Sequence, residues 1–582
     1  MNTVGTHKHH NTEICIIGGG MSGLCAAVAA ARHGAKVVLM HDRPVLGGNA
    51  SSEIRMWIRG AAGKENRETG ILQEIELENI YRNPTMNYSV WDTVLYQMIL
   101  QEENITLLLN CSCLGCGMDG EKIASVTGWQ LNSYTFHTVT AKIFIDCSGD
   151  SILAELSGAA YRVGRESRDE FGEYAAPEKA DCYTMGSSCL IEARKTDHVC
   201  TFTPPAWAYS YPDDESMYLK NHDIIGTGVN FWWIELGGEM DTIQDAQAIN
   251  EELIKVAYGV WDHIKNHGDH GMENWELEWI GFLPGKRESR RYEGEYILTQ
   301  QDLEEGHLFP DAVAFGGWTM DNHNPKGFQY IGYSSHHIAP KVPYQIPFRC
   351  LYSKNVPNLM FAGRNISATH MAMSSTRVMA TCAVIGQAAG TGAALAVAHK
   401  CSPADVTRSH MGALQQQLLE DGCFIPGKNR PISGNVSFDL TEAEAAILNN
   451  GWDRPHDENA NSIMRPDSSA LTMKLKMPAS VLRLALDPDF SRESISTHAK
   501  YQKFAMRTHI DEKTVVFMPK NLLKSCTVTS ETADGKLHTQ HIRENRQALL
   551  YIPLPEQTVR VTLQSLQSWG GEMTGIFSCD TI

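Results

Sequence analysis

The sequence lacks features that mark several other classes of protein. The sequence has fewer basic residues (50) than acidic residues (68), and the formal net charge is −18. Nucleic acids and anionic membranes repel such a charge at long range, so we expect neither as a partner. The first residues, MNTVGTHKHHNTE, contain no apolar run after a basic start, so we expect no signal peptide and a disordered lead over residues 1–11. No internal repeat is visible.

Long uninterrupted apolar runs are also missing. The most apolar stretch lies near residues 383–398, but it contains Gln387 and glycines and is built of alanine rather than leucine. This composition favours a tightly packed interior helix over a membrane span. The fifteen cysteines are odd in number and scattered, so we expect reduced thiols and a cytoplasmic protein. Cys111, Cys113 and Cys116 lie close together without a fourth ligand nearby, and we predict no metal site.

The feature that organises the rest of the chain is the segment EICIIGGGMSG, residues 13–23. A short apolar run breaks into glycine and then into an alanine-rich segment, which predicts a strand, a tight turn and a helix. Gly18, Gly20 and Gly23 have the G-x-G-x-x-G spacing, which lets the chain turn, admits a pyrophosphate and lets helix and strand pack closely. We predict a dinucleotide-binding turn, with a merely tight structural turn as the alternative.

The residues that follow the second predicted strand, residues 36–40, leave the ribose contact open. An acidic residue about 20 positions past the glycines holds the ribose in this pattern. The strand instead ends in His41, Asp42 and Arg43, with His41 in the usual slot and Asp42 one place beyond it. We therefore divide the ribose contact between His41 and Asp42.

A second glycine-rich loop follows at once. Gly47 and Gly48 permit close approach of the backbone to a ligand, and Asn49 and Ser51 offer short hydrogen-bond donors. A solvated loop is the alternative.

The changes of composition and hydrophobic pattern along the chain predict an α/β protein with three domains. A discontinuous Rossmann-like domain is expected over residues 12–160 and 350–430. Aromatic residues and loops over 161–349 predict an inserted α+β substrate domain, whose rings suit a sugar or simply a core. Short alternating runs over 431–582 predict a C-terminal domain like a β-sandwich.

The end of the Rossmann-like domain carries its own pattern. A strand near 359–362 leads to Gly363 and a long small-residue helix over 377–399. Ser374, Ser375 and Thr376 are good types for the N-cap of that helix, whose glycines would let it lie close to the sheet.

Four segments together resemble one known family, and the opening glycines agree. They are RPVLGGNASSEIRM, FIDCSGDSILAELSGA, KRESRRYEGEYILTQQDL and NLMFAGRNISATHMA. In this order they resemble the bacterial FAD-dependent oxidoreductases related to the flavin subunit of heterodisulfide reductase, which have the glutathione-reductase type of FAD fold. The resemblance covers roughly residues 12–425.

The resemblance implies an FAD site, and we expect the FAD to be bound non-covalently. The residues that it implies touch or frame FAD are Gly18, Gly20, Gly23, Gly47, Gly48, Asn49, Asp150, Gly363 and Arg364. Some wider relatives hold iron–sulfur clusters through a C-x-x-C-x-x-C-x-x-x-C-P run. This sequence has no such run, so a cluster is disfavoured.

We expect an enzyme in which FAD exchanges hydride with a small molecule, with a sugar or glycoside hydroxyl as the substrate suggested by the aromatic residues and the β domain. His370 and then His323 are the candidates for the base, Asp321 could orient a histidine, and Arg55 could bind substrate; a structural role is the alternative for each. Two other hypotheses are an electron-transfer subunit that relays electrons between proteins and a flavin-bound interaction protein with a carbohydrate-binding β module. The electron acceptor and the oligomeric state, including a homo-oligomer, stay open.

Overall fold

The structure, a computed structural model, describes residues 5–222, 231–455, 461–488 and 516–582. The strands, in chain order, are β1 (Thr6–Asn11), β2 (Ile14–Ile17), β3 (Val37–Met40), β4 (Ile105–Leu108), β5 (Cys111–Asp119), β6 (Lys122–Gln130), β7 (Thr135–Thr140), β8 (Ile143–Asp146), β9 (Tyr161–Arg162), β10 (Ser187–Ser188), β11 (Ile191–Lys195), β12 (Glu235–Leu236), β13 (Trp275–Ile280), β14 (Gly285–Lys286), β15 (Arg291–Tyr292), β16 (Ala312–Gly316), β17 (Met320–His323), β18 (Ser335–Ile338), β19 (Tyr344–Pro347), β20 (Leu359–Phe361), β21 (Val436–Phe438), β22 (Ile463–Pro466), β23 (Leu471–Leu475), β24 (Val481–Leu486), β25 (Leu523–Thr532), β26 (Leu537–Ile542), β27 (Leu549–Pro553), β28 (Thr558–Ser568) and β29 (Met573–Thr581). The helices are α1 (Met21–Arg32), α2 (Ile71–Arg82), α3 (Tyr88–Leu100), α4 (Ile152–Ser157), α5 (Arg168–Phe171), α6 (Ala246–Asn266), α7 (Gln300–Glu305), α8 (His370–Thr376), α9 (Met379–His399), α10 (Pro403–Asp405), α11 (Met411–Glu420) and α12 (Glu442–Leu448).

A five-stranded parallel sheet forms the centre of the first domain, in the order β20-β8-β2-β3-β4. Its inner strands β2, β3 and β8 are buried along their whole length, as expected for parallel strands covered on both faces. The chain runs outward from β2 to β4 and then returns to the other side of β2 through β8 and β20. The order therefore reverses between β2 and β8, which is where α/β sheets open a binding crevice at their carboxyl ends.

Helices α1 and α9 pack against each other through glycine. A Cβ built on Gly386 would lie 2.1 Å from the carbonyl oxygen of Ser22, and one on Gly390 would lie 2.2 Å from that of Ala26. Gly386 and Gly390 thus admit the backbone of α1, whereas the sequence had suggested that the glycines of α9 admit the sheet. Helix α9 is the one described helix long and apolar enough to cross a membrane, and its apolar window is fully buried in the protein.

Several elements differ from the sequence prediction. Residues 6–11 were expected to be disordered, but Thr6–Asn11 forms β1 and pairs in parallel with β7, so that prediction was wrong. β1 joins the four-stranded sheet β1-β7-β6-β5. Its pairing partner β7 lies more than 120 residues away along the chain. The predicted helix over 377–399 begins at Met379, because the chain leaves helical geometry at Val378. Ser374, Ser375 and Thr376 end α8 instead of capping α9.

The segment between β8 and β20 contains α6 and several two- and three-stranded sheets, which give it the mixed composition expected of the inserted domain. Its core packs α6 residues such as Trp261 against β11 and β13. Two sheets follow near the C-terminus, β21-β23-β28-β25-β26 and β22-β29-β24-β27, and their inner faces share one core. The predicted sandwich-like domain is therefore present, while the predicted boundaries at 160, 349 and 430 stay predictions.

Candidate functional site

A cavity of about 820 Å³ opens at the carboxyl edge of the parallel sheet. The residues that directly follow β2, β3 and β8, namely Gly18, His41 and Cys147, line it, and so does Gly363 beyond β20. The crevice expected from the strand order is therefore present, and its size lies in the range of cofactor and small-molecule sites.

The first glycine turn forms one wall of the cavity, and its glycines act in different ways. Gly18 has a φ of +101°, and a Cβ there would lie 2.3 Å from the carbonyl oxygen of Cys147. A Cβ on Gly23 would lie 1.8 Å from the carbonyl oxygen of Gly18, so Gly23 serves the packing of helix on strand and does not line the cavity. Gly20 lines the cavity and has open space around it, with Gly48 Cα at 3.8 Å from a built Cβ.

The second glycine loop lies against the first. Gly47 and Gly48 have φ values of +105° and +61°, and a Cβ on Gly48 would come within 3.0 Å of Gly20 Cα. Ser51 is fully buried and donates its hydroxyl to the Gly48 carbonyl at 2.7 Å. The structure therefore places Ser51 as a brace for the turn, whereas the sequence analysis had offered it as a ligand donor.

His41 also braces the turn. Its Nδ1 accepts the N–H of Gly19 at 3.0 Å, and its Nε2 donates to the Val45 carbonyl at 3.0 Å. Both ring nitrogens are thus in use, in the neutral tautomer with the proton on Nε2. Burial lowers the pKa of His41 to about 4, which keeps the ring neutral near pH 7. Of the two residues offered for the ribose contact, Asp42 has the more exposed side chain (63%) and lines the cavity.

Arg43 and Asn49 line the cavity beside Asp42. Arg43 Nη1 is buried 3.6 Å from Glu53 and makes no hydrogen bond within the described residues. Asn49 donates its amide to the Lys286 carbonyl at 3.0 Å and so links this loop to the inserted domain.

On the opposite wall, Asp150 joins three parts of the chain. Its Oδ1 accepts from Arg364 Nη2 at 2.9 Å and from Ser289 Oγ at 2.7 Å, and its Oδ2 lies 2.7 Å from Lys286 Nζ. Burial pushes the pKa of Asp150 up, but the charges of Arg364 and Lys286 hold it below its ordinary value. Arg364 also lines the cavity, and its Nε is buried without a hydrogen-bond partner among the described residues.

The N-terminus of α9 forms the floor. Val378 is its N-cap and provides no side-chain cap, and Val378, Met379 and Cys382 line the cavity. The positive end of this helix dipole therefore lies at the cavity and favours negative charge there.

The far wall belongs to the inserted domain and holds a histidine between two carboxylates. His323 Nδ1 lies 2.6 Å from Glu235, and its Nε2 lies 3.3 Å from Asp321 Oδ2. Arg287 lies 3.3 Å from Glu235, and Arg377 lies 3.1 Å from Asp321. Glu235 orients the ring, and His323, Asp321, Arg287 and Arg377 all line the cavity.

These charges keep both carboxyl groups ionised. Burial raises the pKa of Asp321, but His323 and Arg377 hold it well below its usual range. Burial likewise raises the pKa of Glu235, while Arg287 and His323 bring it below its ordinary value. A carboxylate with so low a pKa is a weak proton acceptor, so neither Asp321 nor Glu235 is suited to act as the base at this wall.

Aromatic rings complete the far wall. The cavity is lined there by Trp57, Trp232, Trp318 and Tyr333. Arg59 lies over Trp57 at 4.7 Å and also lines the cavity. The sequence analysis did not single out Trp57 or Arg59; the alternation of Arg and Trp directly after the second glycine loop was the available signal.

Two of the four predicted catalytic residues do not line the cavity. His370 is buried with Nδ1 at 3.0 Å from Glu288 and Nε2 at 3.0 Å from Asn322 Oδ1, so both of its nitrogens are occupied. Arg55 pairs with Glu192 and lies over the rings of Trp279 and Tyr88 at 4.4 and 4.5 Å. The structure brings His323 and Asp321 to the cavity and gives His370 and Arg55 packing and ion-pair contacts instead.

A family-wide sequence model described as FAD dependent oxidoreductase matches residues 13–418, more than half of the chain. The chain belongs to this family of FAD-dependent oxidoreductases. The match begins at the first glycine strand and ends in α11, so it contains every cavity-lining residue named above. No curated protein matches the sequence.

The chain is similar to several solved structures, each at low identity and with a low TM-score. They include a two-domain protein with unknown function from Bacteroides fragilis (17% identity, 26% of this chain and 43% of that chain, TM-score 0.18) and L-proline dehydrogenase from P. horikoshii (19%, 28% and 26%, 0.16). A geranylgeranyl bacteriochlorophyll reductase-like protein from Thermoplasma acidophilum is 12% identical over 71% of this chain and 86% of that chain, with a TM-score of 0.31. The chain thus spans less than half of the length of the first two. Similarity at this level identifies no substrate.

The cavity fits FAD by its own geometry. A pyrophosphate is suited by the open backbone at Gly20 and by the N-terminus of α1, which has no acidic residue in its first turn. A ribose is suited by the exposed carboxylate of Asp42. Arg364 and the N-terminus of α9 supply positive charge farther along the same cavity. The cavity therefore fits the cofactor named in the description of the family. The relation of the chain to heterodisulfide reductase and the non-covalent binding of FAD stay predictions.

Proposed function

We propose that this enzyme oxidises a hydroxyl-bearing carbon of a small ring-shaped molecule, with a sugar or glycoside as the substrate class, or catalyses the reverse reduction. The observation that carries the proposal is that one cavity contains both the glycine turns at Gly20 and Gly48 and the His323–Asp321 pair. Bound FAD supplies a two-electron acceptor for hydride. The remaining chemistry belongs to the residues of the chain.

His323 is proposed as the group that accepts the hydroxyl proton. Glu235 accepts a hydrogen bond from Nδ1–H of the ring at 2.6 Å, which leaves Nε2, 3.3 Å from Asp321 Oδ2, as the nitrogen that takes up the proton. When Nε2 gains a proton, the imidazolium lies between Asp321 and Glu235, and both carboxylates stabilise its charge. Arg287 and Arg377 hold those carboxylates in place.

The aromatic wall supports a sugar-like substrate. Indole and phenol rings present flat apolar faces on which a sugar ring stacks, and Trp57, Trp232, Trp318 and Tyr333 line the cavity. The ring of Trp232 lies 5.3 Å from that of His323 and 5.6 Å from that of Tyr333. Tyr333 OH and His337 lie 3.1 Å apart and add hydrogen-bonding groups for hydroxyls. This wall is separate from the C-terminal sheets, so the carbohydrate-binding role suggested for the β domain is not needed for substrate binding.

Anaerobic stopped-flow absorbance of the purified, FAD-loaded enzyme tests the proposal. The panel contains sugars, glycosides, amino acids and thiols. We expect rapid loss of oxidised flavin absorbance with sugars or glycosides and none with the other classes. Reduction by amino acids or thiols would refute the substrate class, and reduction only by a partner protein would instead support the electron-relay function.

A further inference from the structure

A histidine cluster in the inserted domain lies outside the FAD cavity. His222, His263 and His270 each offer a ring nitrogen, and these three nitrogens lie within 4.8 Å of one another. The three ring centroids are 4.7 to 5.0 Å apart. None of the three residues lines the cavity described above.

The hydrogen bonds of the cluster fix where the protons are. His222 Nδ1 lies 2.9 Å from the Lys220 carbonyl, and His263 Nδ1 lies 2.7 Å from the Tyr211 carbonyl. His270 Nε2 lies 2.8 Å from the His267 carbonyl. A carbonyl oxygen only accepts, so each of these nitrogens carries a proton, and in the neutral ring the other nitrogen presents a lone pair.

His263 is the buried member of the cluster. His263 is 2% exposed, and its Nε2 is buried with no hydrogen-bond partner among the described residues. Three neutral imidazoles that are each anchored by an outer carbonyl have the arrangement that metal-bound histidines adopt, because the outer acceptor fixes both the tautomer and the ring orientation. A buried nitrogen without a partner is costly in the absence of a ligand.

A carboxylate stands at the open side of the cluster. Asp214 Oδ1 lies 3.4 Å from His263 Nε2 and 3.8 Å from His222 Nε2, and its side chain is 65% exposed. Three histidine nitrogens form a ligand set that Zn²⁺ takes in proteins, with a fourth position left for a water or a carboxylate. Ligand nitrogens around tetrahedral zinc are about 3.4 Å apart, so the three histidine nitrogens, which lie within 4.8 Å of one another, would move closer together on binding.

We propose that His222, His263 and His270 form a binding site for Zn²⁺ or a similar divalent transition metal, with Asp214 beside it. The sequence analysis named no metal site; the signal it passed over is the run of histidines at the end of α6 and just beyond it.

The contacts around the proposed metal site suggest a structural role for the metal. It would join the end of α6 to the segment 214–222. Lys220, two residues before His222, donates through Nζ to the carbonyls of Tyr330 and Gly332 at 2.7 and 2.8 Å. Those residues directly precede Tyr333, which lines the FAD cavity. A bound metal would therefore stabilise the loop that supports the aromatic wall.

The test uses the full-length, FAD-loaded enzyme without a histidine tag. The protein is stripped with a chelator, dialysed, and titrated with Zn²⁺ and separately with Co²⁺. Metal per chain is measured by inductively coupled plasma mass spectrometry, and the visible spectrum of the Co²⁺ form reports coordination number. We expect one metal per chain and the intense visible absorption of four-coordinate cobalt.

Matched variants locate the site. His263→Gln and His270→Gln should lose the metal or bind it at least about tenfold more weakly. His267→Gln, on the same segment, should keep it, because His267 Nε2 lies 3.3 Å from Asp262 and outside the cluster. A triple variant of His7, His9 and His10 to Gln should also keep it. Retained FAD and an unchanged circular dichroism spectrum exclude misfolding.

Three results would overturn the proposal. They are absence of stoichiometric metal in the wild type, a six-coordinate cobalt spectrum, and loss of metal in the triple variant but not in His263→Gln. The wild-type spectrum decides the matter even where a cluster variant fails to fold.

Discussion

The Nδ1 atom of His41 accepts a hydrogen bond from the backbone N–H of Gly19, in the middle of the first glycine turn. A residue in the position usually held by the ribose-binding acid thus supports the turn from behind, with Asp42 beside it toward the cavity. His41 must stay neutral to accept this bond, which couples the turn to pH.

The first prediction concerns this coupling. Burial lowers the pKa of His41 from 6.5 to about 4, so the folded protein binds the proton more weakly than the unfolded chain. The contribution of neutral His41 to the free energy of unfolding is therefore complete above pH 6.5. It is lost as the pH falls toward 4, by about 3 kcal/mol in total. His41→Leu should cost about 1–3 kcal/mol at pH 7, because the Gly19 N–H loses its partner, and should flatten this pH dependence. Urea unfolding between pH 4 and 7 measures both effects.

The control for this variant is His198→Leu, whose side chain is 68% exposed. It should change neither the free energy of unfolding nor its pH dependence. An unchanged pH slope in His41→Leu would show that other groups carry the acid sensitivity.

The second prediction concerns Gly23, where a Cβ would lie 1.8 Å from the Gly18 carbonyl oxygen. Gly23→Ala should lower the free energy of unfolding by about 3 kcal/mol or more, because the backbone must move, and should abolish FAD retention.

Gly412→Ala is the control, since Gly412 lies in α11 with nothing within 4 Å of a built Cβ and with an ordinary φ. Gain of helix propensity should leave it equal to or up to about 1 kcal/mol more stable than wild type. Thermal unfolding and the flavin-to-protein absorbance ratio check both; a stable, FAD-bound Gly23→Ala would contradict the packing argument.

The glycine turn could be predicted from the sequence because its requirements are local. Gly18, Gly20 and Gly23 need backbone space within one strand, turn and helix, and their spacing expresses that need directly. The alternating runs of the C-terminal strands were readable for the same reason.

Local sequence requirements could not show whether His323 or His370 faces the cavity. Each histidine pairs with a glutamate more than 80 residues earlier in the chain, and only the packing of the inserted domain decides which one faces the cavity. The β1 strand was missed for a similar reason, because its partner β7 is distant in sequence and supplies the pairing that a short polar segment does not predict alone.

The third prediction separates those two histidines. His323→Gln should lower kcat by about 10²- to 10⁴-fold with FAD still bound, because the proton acceptor at the cavity is lost. His370→Gln should lower stability, because the buried Glu288 loses its partner, but should change kcat far less. Rapid-reaction flavin reduction and urea unfolding, measured on both variants, give the two readouts. If His370→Gln showed the larger loss of kcat at wild-type stability, the assignment of the base to His323 would be wrong.

The fourth prediction concerns helix α2, which joins the first domain to the C-terminal sheets. Its first turns pack Ile71 and Ile75 into the core around the parallel sheet, whereas Leu77 and Ile80 pack into the core of the C-terminal sheets. Ile80 is 1% exposed, so Ile80→Ala should leave a cavity in the second core and cost about 2–5 kcal/mol of unfolding free energy.

The control is Leu100→Ala on the neighbouring helix α3, where the side chain is 61% exposed and the expected change is below about 0.5 kcal/mol. Because α2 contributes to both cores, Ile80→Ala should lower the urea midpoint of flavin release together with that of the β domain. Flavin fluorescence and far-UV circular dichroism, followed in one titration, test this. A shift in the β-domain transition alone would mean that the two cores unfold independently in spite of the helix they share.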